Sequence, residues 1–145
     1  MSAEVFTQTG ERLTKALITG DFDLYTRVMA LGLEVVPQGG TPFRLETTEA
    51  LRQDFDLFHQ AIIQWSITDI YRKVLSVHAL SDSEFAVRSE VNILIDARRV
   101  VDPFVTEMTL RQTPGGWKFH RIVSTLGHIN WTIGKSRISE SGQFT

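Results

Sequence analysis

Arg121 is the residue whose predicted position most directly suggests a binding role. It lies between Phe119 and Val123 on the apolar side of a predicted strand, where a guanidinium needs a carboxylate or several acceptors to offset its loss of water. In a pocket it would anchor an anionic or carbonyl-bearing ligand. Alternatively, it could form a structural ion pair with a helix carboxylate, or extend from the rim of the sheet into water.

Three further side chains could donate or transfer protons in a pocket. Tyr25 and His59 lie at the flanks of predicted helix faces; a tyrosine can donate a hydrogen bond to a substrate carbonyl, and a histidine can transfer protons near neutral pH. Asp102 begins a strand on the inward parity and could act as a general base. The alternatives are that Tyr25 and His59 pack at the edge of the core and that Asp102 is a turn residue in water.

Ser89, Thr106 and Trp65 are the remaining candidates for contact with a ligand. Ser89 and Thr106 are predicted neighbours on the inward sheet face, so they could line a pocket or hydrogen-bond each other. Trp65, at the end of a predicted helix, is more typical of a core aromatic than of a ligand platform.

The other common chemistries lack their residues in this sequence. The chain has no cysteine, no glycine motif that would hold a phosphate, and no nucleophile elbow. Its four histidines lack the close spacing of metal ligands. The sequence therefore predicts neither a metal site nor a bound cofactor.

Composition and charge argue against several classes of partner. The 145 residues suffice for one domain with its own core, and a net charge of −2 is unlike a nucleic-acid or basic membrane-binding surface. No apolar stretch has the length of a membrane span, and the first residues lack the features of a secretory signal. We therefore expect a cytoplasmic protein that binds neither nucleic acid nor membrane.

Helices are predicted to come first along the chain and to position Tyr25 and His59. The spacing indicates a helix over residues 3–18, a second one capped by Asp21, and a third that begins at Thr47 or Thr48. This third helix ends near residue 65 and carries one apolar stripe formed by Leu51, Phe55, Phe58 and Ile62.

A run of alternating strands follows, after short strands at 33–36 and 43–46. The longer strands are predicted over residues 70–80, 85–95, 104–110 and 117–125. With four-residue loops at 96–99 and 113–116, the predicted inward pairs are Val87 with Met108, Ser89 with Thr106, Ile93 with Asp102, Leu110 with Phe119, Met108 with Arg121 and Thr106 with Val123. The same register sets Arg88 opposite Glu107 on the outer face.

The facing of strand 70–80 stays open. A two-residue turn at 82–83 would direct inward Val74, Ser76 and His78; a bulged three-residue turn would direct inward Tyr71, Leu75, Val77 and Ala79. We expect one domain over residues 1–135, with part of the segment around Ile129, Trp131 and Ile133 packed on it, and a flexible tail over 136–145. Helices followed by a curled sheet around a pocket indicate an α+β fold.

The chain resembles the nuclear transport factor 2-like superfamily from about residue 11 to 127. The segments that carry the resemblance are TGDFDLYTRVMAL, VVPQGGTPFRLETTEALRQDF and MTLRQTPGGWKFHRIVST. The resemblance implies a cystatin-like, cone-shaped α+β barrel, in which helices pack in the concave face of a strongly bent, mixed or antiparallel sheet and leave a pocket. Members include ketosteroid isomerases, polyketide cyclases (SnoaL-like proteins) and dehydratases, but also non-enzymatic binding and dimerisation modules.

Several positions depart from the pattern of the enzymes in this superfamily. The segment that often holds a catalytic carboxylate reads Val-Val-Pro-Gln at residues 35–38, and the histidine and serine that end the last strand of many relatives are Val123 and Thr125 here. The tyrosine of the isomerases maps approximately to Tyr25.

Three functions are therefore open. The favoured one is a small-molecule-binding domain with a mostly apolar internal pocket. The second is a cofactor-independent isomerase, cyclase or dehydratase that acts on a carbonyl-containing molecule, and the third is a dimerisation module. A homodimer is expected through the outer sheet face, whose apolar residues are Leu94, Val105, Ile122 and Leu126.

Overall fold

The computed structural model describes residues 2–37 and 39–124, and within them it confirms the α+β prediction. The helices are α1 (Ser2–Thr19), α2 (Phe22–Val28) and α3 (Thr48–Trp65). The strands are β1 (Met29–Val36), β2 (Phe43–Leu45), β3 (Asp69–Ser81), β4 (Glu84–Ile95), β5 (Arg98–Arg99), β6 (Phe104–Thr113) and β7 (Gly116–Ser124). The predicted domain bounds, the packing of residues 129–133 and the tail over 136–145 depend on residues outside the described ranges.

The caps of α2 and α3 are those that the sequence predicts. The Asp21 carboxylate accepts a hydrogen bond from the backbone N–H of Leu24 at 3.0 Å, and the Thr47 hydroxyl accepts one from Ala50 at 3.0 Å. The helices bury their apolar stripes, including Leu51, Phe55 and Ile62 of α3, against the sheet and one another.

The sheet is strongly curled and wraps the helices with its inner face. Its strand order is β2-β1-β7-β6-β4-β3, and β5 pairs with β4. The neighbouring strands are antiparallel except for β1 and β7, which are parallel, so the sheet is mixed. Because successive side chains of a strand point to opposite faces, register decides which residues face the helices.

The register between β4 and β6 is the predicted one. Val87 lies opposite Met108, Ser89 opposite Thr106, and Arg88 opposite Glu107 on the outer face. The connection after β4 differs from the prediction.

That connection is a two-residue turn at Asp96 and Ala97, both with positive φ (47° and 69°), and it pairs Leu94 with Arg99. The predicted pairing of Ile93 with Asp102 is therefore wrong: Asp102 precedes β6 and is exposed.

A bulge in β7 changes which side chains enter the interior. Leu110 lies opposite Phe119 as predicted, but Arg121 then lies opposite Thr109, so that His120 is an extra residue in β7. Beyond the bulge, Ile122 lies opposite Met108 and faces inward.

The predicted inward positions of Arg121 and Val123 are therefore wrong. Arg121 lies on the outer face, since Thr109 does, and Ser124 takes the place opposite Thr106 that Val123 was expected to occupy. For the same reason Ile122 is not on the outer face. A homodimer through the outer face stays a prediction. Ile122 cannot belong to the predicted interface, and Leu126, another of its predicted residues, lies outside the described ranges.

β3 contains features of both predicted alternatives. The turn to β4 is the two-residue one, at 82–83, and Ile70 is buried on the inner parity with Arg72 and Val74 partly buried. A bulge between Val74 and Ser76 then inverts the parity, which places Val77 opposite Val87. In the distal half of β3 the side chains are exposed.

None of the helices in the described part of the chain has the length and apolar character needed to cross a membrane.

Candidate functional site

A cavity of about 90 Å³ lies between the helices and the inner face of the sheet. Most of the cavity wall is apolar and comes from α1, α3, β1, β3, β4, β6 and β7. These apolar residues are Leu13, Leu17, Met29, Leu33, Phe58, Ile70, Val91, Ile93, Phe104, Met108 and Ile122. The polar residues of the wall are Tyr25, Asp54, Arg72, Thr106 and Ser124. A mostly apolar pocket with a few polar groups is the usual form of a small-molecule site.

Tyr25 contributes a phenol that stays protonated. The side chain is buried on α2, with its ring centroid 4.8 Å from that of Phe55 and 6.1 Å from that of Phe22. Burial, and secondarily the negative charge of Asp54, raise the pKa of the Tyr25 hydroxyl far above its usual value of 10.0. The phenol is therefore neutral at physiological pH and can donate a hydrogen bond.

Asp54 places a carboxyl group in the same wall. It lies on α3 three residues after Leu51 and next to Phe55, and it is buried with 9% of its surface exposed. Asp54 was not among the predicted site residues. The signal was present, because a carboxylate three residues from a core leucine lies on the buried side of a helix.

Arg72 supplies the positive charge of the wall. Its Nη1 donates hydrogen bonds to the Gly10 carbonyl oxygen at 3.1 Å and to Thr14 Oγ1 at 2.7 Å, which fastens β3 to α1. Burial lowers the pKa of the guanidinium from 12.5 to about 10, and the Asp69 carboxylate partly offsets this effect. Arg72 therefore remains a cation at neutral pH.

Tyr25 and Thr106 are the predicted site residues that line the cavity. Ser89 is completely buried opposite Thr106 in the sheet and does not line the cavity. The two hydroxyls are 3.2 Å apart in a hydrogen bond. Both alternatives for this pair therefore hold in part, since Thr106 lines the cavity and Ser89 holds it in place. Their roles toward a ligand remain predictions.

The other predicted residues lie away from the cavity wall. His59 Nδ1 lies 2.6 Å from the Leu17 carbonyl oxygen, and its ring stacks on Phe55. Trp65 is partly buried and packs against the core, and Asp102 is exposed. Arg121 Nε lies 3.1 Å from Glu34 Oε1 on the outer face, so this arginine forms a structural ion pair, but its partner lies on β1 and not on a helix as the alternative interpretation had it.

Asp54, Arg72 and Ser124 are thus the polar wall residues that were not predicted from the sequence. For Arg72 the inward parity follows from the two-residue turn at 82–83, one of the two predicted alternatives. Ser124 lines the cavity because of the bulge at His120, and the sequence has no evident signal for this bulge. In residues 2–37 and 39–124, no group of three or more acidic, histidine or cysteine side chains is arranged to hold a metal ion.

Comparison with known proteins identifies the fold. No protein-family model matches the sequence, and a search of curated proteins gives no match. Among solved structures, a candidate aromatic ring hydroxylase from Novosphingobium aromaticivorans is similar, with a TM-score of 0.64 at 17% identity over 89% of this chain and 94% of that one.

Two further structures agree. A nuclear transport factor 2-like protein with a cystatin-like fold, also from Novosphingobium aromaticivorans, gives a TM-score of 0.63 at 16% identity over 84% of this chain and 79% of that one. A candidate dehydratase of the nuclear transport factor 2-like family from Streptomyces avermitilis gives 0.58 at 18% identity over 83% and 92%. Together with the curled sheet and the enclosed helices, these similarities show that the chain has the nuclear transport factor 2-like fold.

Proposed function

We propose that this protein binds a small, mainly apolar organic molecule that carries a hydroxyl or carbonyl group. The observation that supports the proposal is the neutral phenol of Tyr25, which is buried beside Asp54 in the wall of an otherwise largely apolar cavity. A buried phenol orients a ligand by one hydrogen bond, while the apolar wall supplies most of the binding free energy.

The volume of the cavity limits the ligand. A protein cavity of about 150 Å³ is large enough for benzene, and this cavity has about 90 Å³. The enclosed part of the ligand is therefore a short chain or a small ring, and a larger molecule would extend out of the mouth.

The test is a titration followed by protein NMR with cyclopentanone, 2-butanone and cyclopentanol. We expect saturable shifts in residues of the cavity wall, and about a tenfold weaker affinity in Tyr25→Phe, which removes one buried hydrogen bond. The matched control is Tyr71→Phe, because Tyr71 is the other tyrosine of the chain and is 55% exposed. Absence of saturable shifts with all three compounds contradicts the proposal.

A second candidate is acid–base catalysis on such a ligand. It is favoured by the position of Asp54, whose carboxyl group lies in the same wall as a neutral phenol. Asp54 would remove a proton from the carbon next to a carbonyl, and Tyr25 would donate a hydrogen bond to the carbonyl oxygen as negative charge develops there. The candidate dehydratase with this fold adds only an analogy, because the similarity is one of fold.

Asp54→Asn separates this catalytic candidate from simple binding. For an enzyme we expect turnover to fall at least about 100-fold with little change in affinity for the product or a stable analogue. Asp56→Asn on the same helix is the control, since Asp56 forms an ion pair at the surface with Arg52. Equal turnover in the two variants would exclude Asp54 as the base.

A further inference from the structure

Arg72 gives the cavity wall a cation that the described residues neutralise only from a distance. The acceptors of its Nη1 are a carbonyl oxygen of Gly10 and the hydroxyl of Thr14, both uncharged. Of the ion pairs between described residues, none includes Arg72, and Asp69 is the carboxylate whose charge acts on it. A guanidinium withdrawn from water and bound to neutral acceptors lacks most of the compensation that a contacting anion would provide.

Arg72 and Tyr25 reach the cavity wall from different elements. Tyr25 belongs to α2, which Lys118 fastens to β7 by a hydrogen bond from its Nζ to the Thr26 carbonyl oxygen at 3.0 Å. Arg72 belongs to β3, and β6 and β4 lie between β7 and β3. The phenol and the guanidinium therefore line the same cavity from a helix and from a strand of the sheet.

We propose that the cavity takes a small organic acid whose carboxylate binds the guanidinium of Arg72. This inference rests on the proposed function, because it names the chemical class of the ligand of the same site. The apolar body of the acid contacts Ile70, Val91 and Ile93, and any hydroxyl or carbonyl group at its other end lies toward Tyr25. Arginine suits this role since its planar fork of N–H donors matches the two oxygens of a carboxylate.

The charges around Arg72 favour the cavity over the neighbouring crevice. Arg72 also lines a crevice of about 150 Å³ between α1 and β3, but Glu11 and Asp69 line it too and would repel an anion. A single guanidinium also favours a monoanion over a phosphate dianion, and Asp54 adds a negative charge to the same wall.

The experiment compares acids with amides of the same shape. Crotonate, butyrate, crotonamide and butyramide are titrated at pH 7 into the wild type, Arg72→Gln and Arg121→Gln, with dissociation constants from protein NMR. We expect each acid to bind the wild type at least tenfold more tightly than its amide. This preference should disappear in Arg72→Gln and persist in Arg121→Gln, whose arginine is paired with Glu34 on the outer face.

Other results overturn the inference in distinguishable ways. If the amides bind as tightly as the acids, the assignment of the ligand as an acid is wrong but the proposed function still stands. The role of Arg72 is likewise wrong, and the proposed function still stands, if the preference for acids persists in a folded Arg72→Gln. If neither acids nor amides bind while cyclopentanone does, only the acid assignment fails. If no compound binds, both fail. If Arg72→Gln does not fold, the affinities for acids and amides are compared in the wild type and in Arg72→Lys, which keeps the charge. Equal affinities for acid and amide in these two proteins overturn the assignment of the ligand as an acid.

Discussion

His59 and Leu17 are joined by a hydrogen bond of 2.6 Å between the imidazole Nδ1 and the backbone carbonyl oxygen, which connects α3 to the end of α1. The carbonyl groups in the last turn of a helix lack partners within that helix, so a histidine from a neighbouring helix stabilises the end. The imidazole also stacks on Phe55 and closely approaches Gly20. The contact is therefore part of the packing that holds the helices above the cavity.

Gly20→Ala should destabilise the protein by about 2 kcal/mol or more. The backbone φ of Gly20 is +74°, and a Cβ there would lie 2.6 Å from His59 Nε2. The positive φ alone costs about 1–3 kcal/mol in a residue other than glycine, and the imidazole must move in addition. The measurement is the free energy of unfolding in urea.

Gly32→Ala is the control for Gly20→Ala. Gly32 has a φ of +82°, but apart from its chain neighbours no atom of residues 2–37 and 39–124 lies within 4 Å of a Cβ placed there, so this variant reports the cost of the backbone conformation. We expect the loss of stability to be larger in Gly20→Ala. Equal losses would mean that His59 does not constrain position 20.

His59→Ala should lower stability without changing ligand affinity. The variant removes the hydrogen bond to Leu17 and the stacking on Phe55, which together correspond to about 1–3 kcal/mol. Since His59 does not line the cavity, dissociation constants for the NMR ligands should match those of the wild type. A folded His59→Ala that loses binding would restore His59 as a site residue.

Arg121→Ala and Ile122→Ala test the bulge in β7. The Arg121 side chain is 40% exposed in its pair with Glu34, and pairs of this kind contribute less than about 1 kcal/mol. Ile122 faces the cavity, where truncation to alanine costs about 2 kcal/mol or more. Urea unfolding of both variants measures the difference. The opposite order of stabilities would favour the register without a bulge.

The order of helices and strands, and the β4–β6 register, could be predicted from the sequence. In β4 and β6 the inward positions are mostly apolar and the outward ones mostly polar, so a slip by one residue in β6 would turn Met108 outward, away from Val87. The bulge could not be predicted. An extra residue leaves the alternation intact on either side, and the stretch around His120 and Arg121 has no glycine or proline to mark it.

The same cause limited the prediction of the site. Tyr25 and Thr106 lie in well-predicted elements and line the cavity. The bulge in β7 instead directs the Arg121 side chain to the outer face and places Ser124 in the cavity wall. Arg72 depended on a turn whose length the sequence left open. Asp54 was not predicted although its helix was, because the apolar stripe of α3 indicates which face is buried but not that a carboxylate shares it.

Deletion of His120 should preserve the fold and the cavity. Without this residue Arg121 directly follows Phe119, and Ile122 still lies opposite Met108 in an unbulged ladder. We expect a folded protein with unchanged ligand affinity, and a loss of stability mainly from the contact between His120 and Glu84.

Deletion of Ile122 is the matched control for this variant. It brings Val123 opposite Met108 and turns Ser124 outward, so it should cost more stability than the deletion of His120. Thermal unfolding and NMR titration measure both variants. A deletion of His120 that does not fold would contradict the bulged register.

Alkaline pH should destabilise the wild type more than Tyr25→Phe. The pKa of the Tyr25 hydroxyl is raised in the folded state, so the unfolded chain releases this proton first, near pH 10. Stability from this group is thus complete below pH 10 and declines as pH rises, by about 1.4 kcal/mol at pH 11. Urea unfolding at pH 8 and pH 11 measures it. Tyr71→Phe should retain the wild-type dependence; a wild type that behaves like Tyr25→Phe contradicts the prediction.

The irregular distal half of β3 affects how this protein behaves at high concentration. β3 ends the described sheet, and its exposed apolar residues Leu75, Val77 and Leu80 would make a regular edge prone to pairing with a strand of another molecule. Register shifts between Val74 and Ser76 and between Ala79 and Ser81 interrupt the row of backbone donors and acceptors. An incoming strand would find only a few consecutive partners, so we expect the edge to resist aggregation although its side chains are apolar.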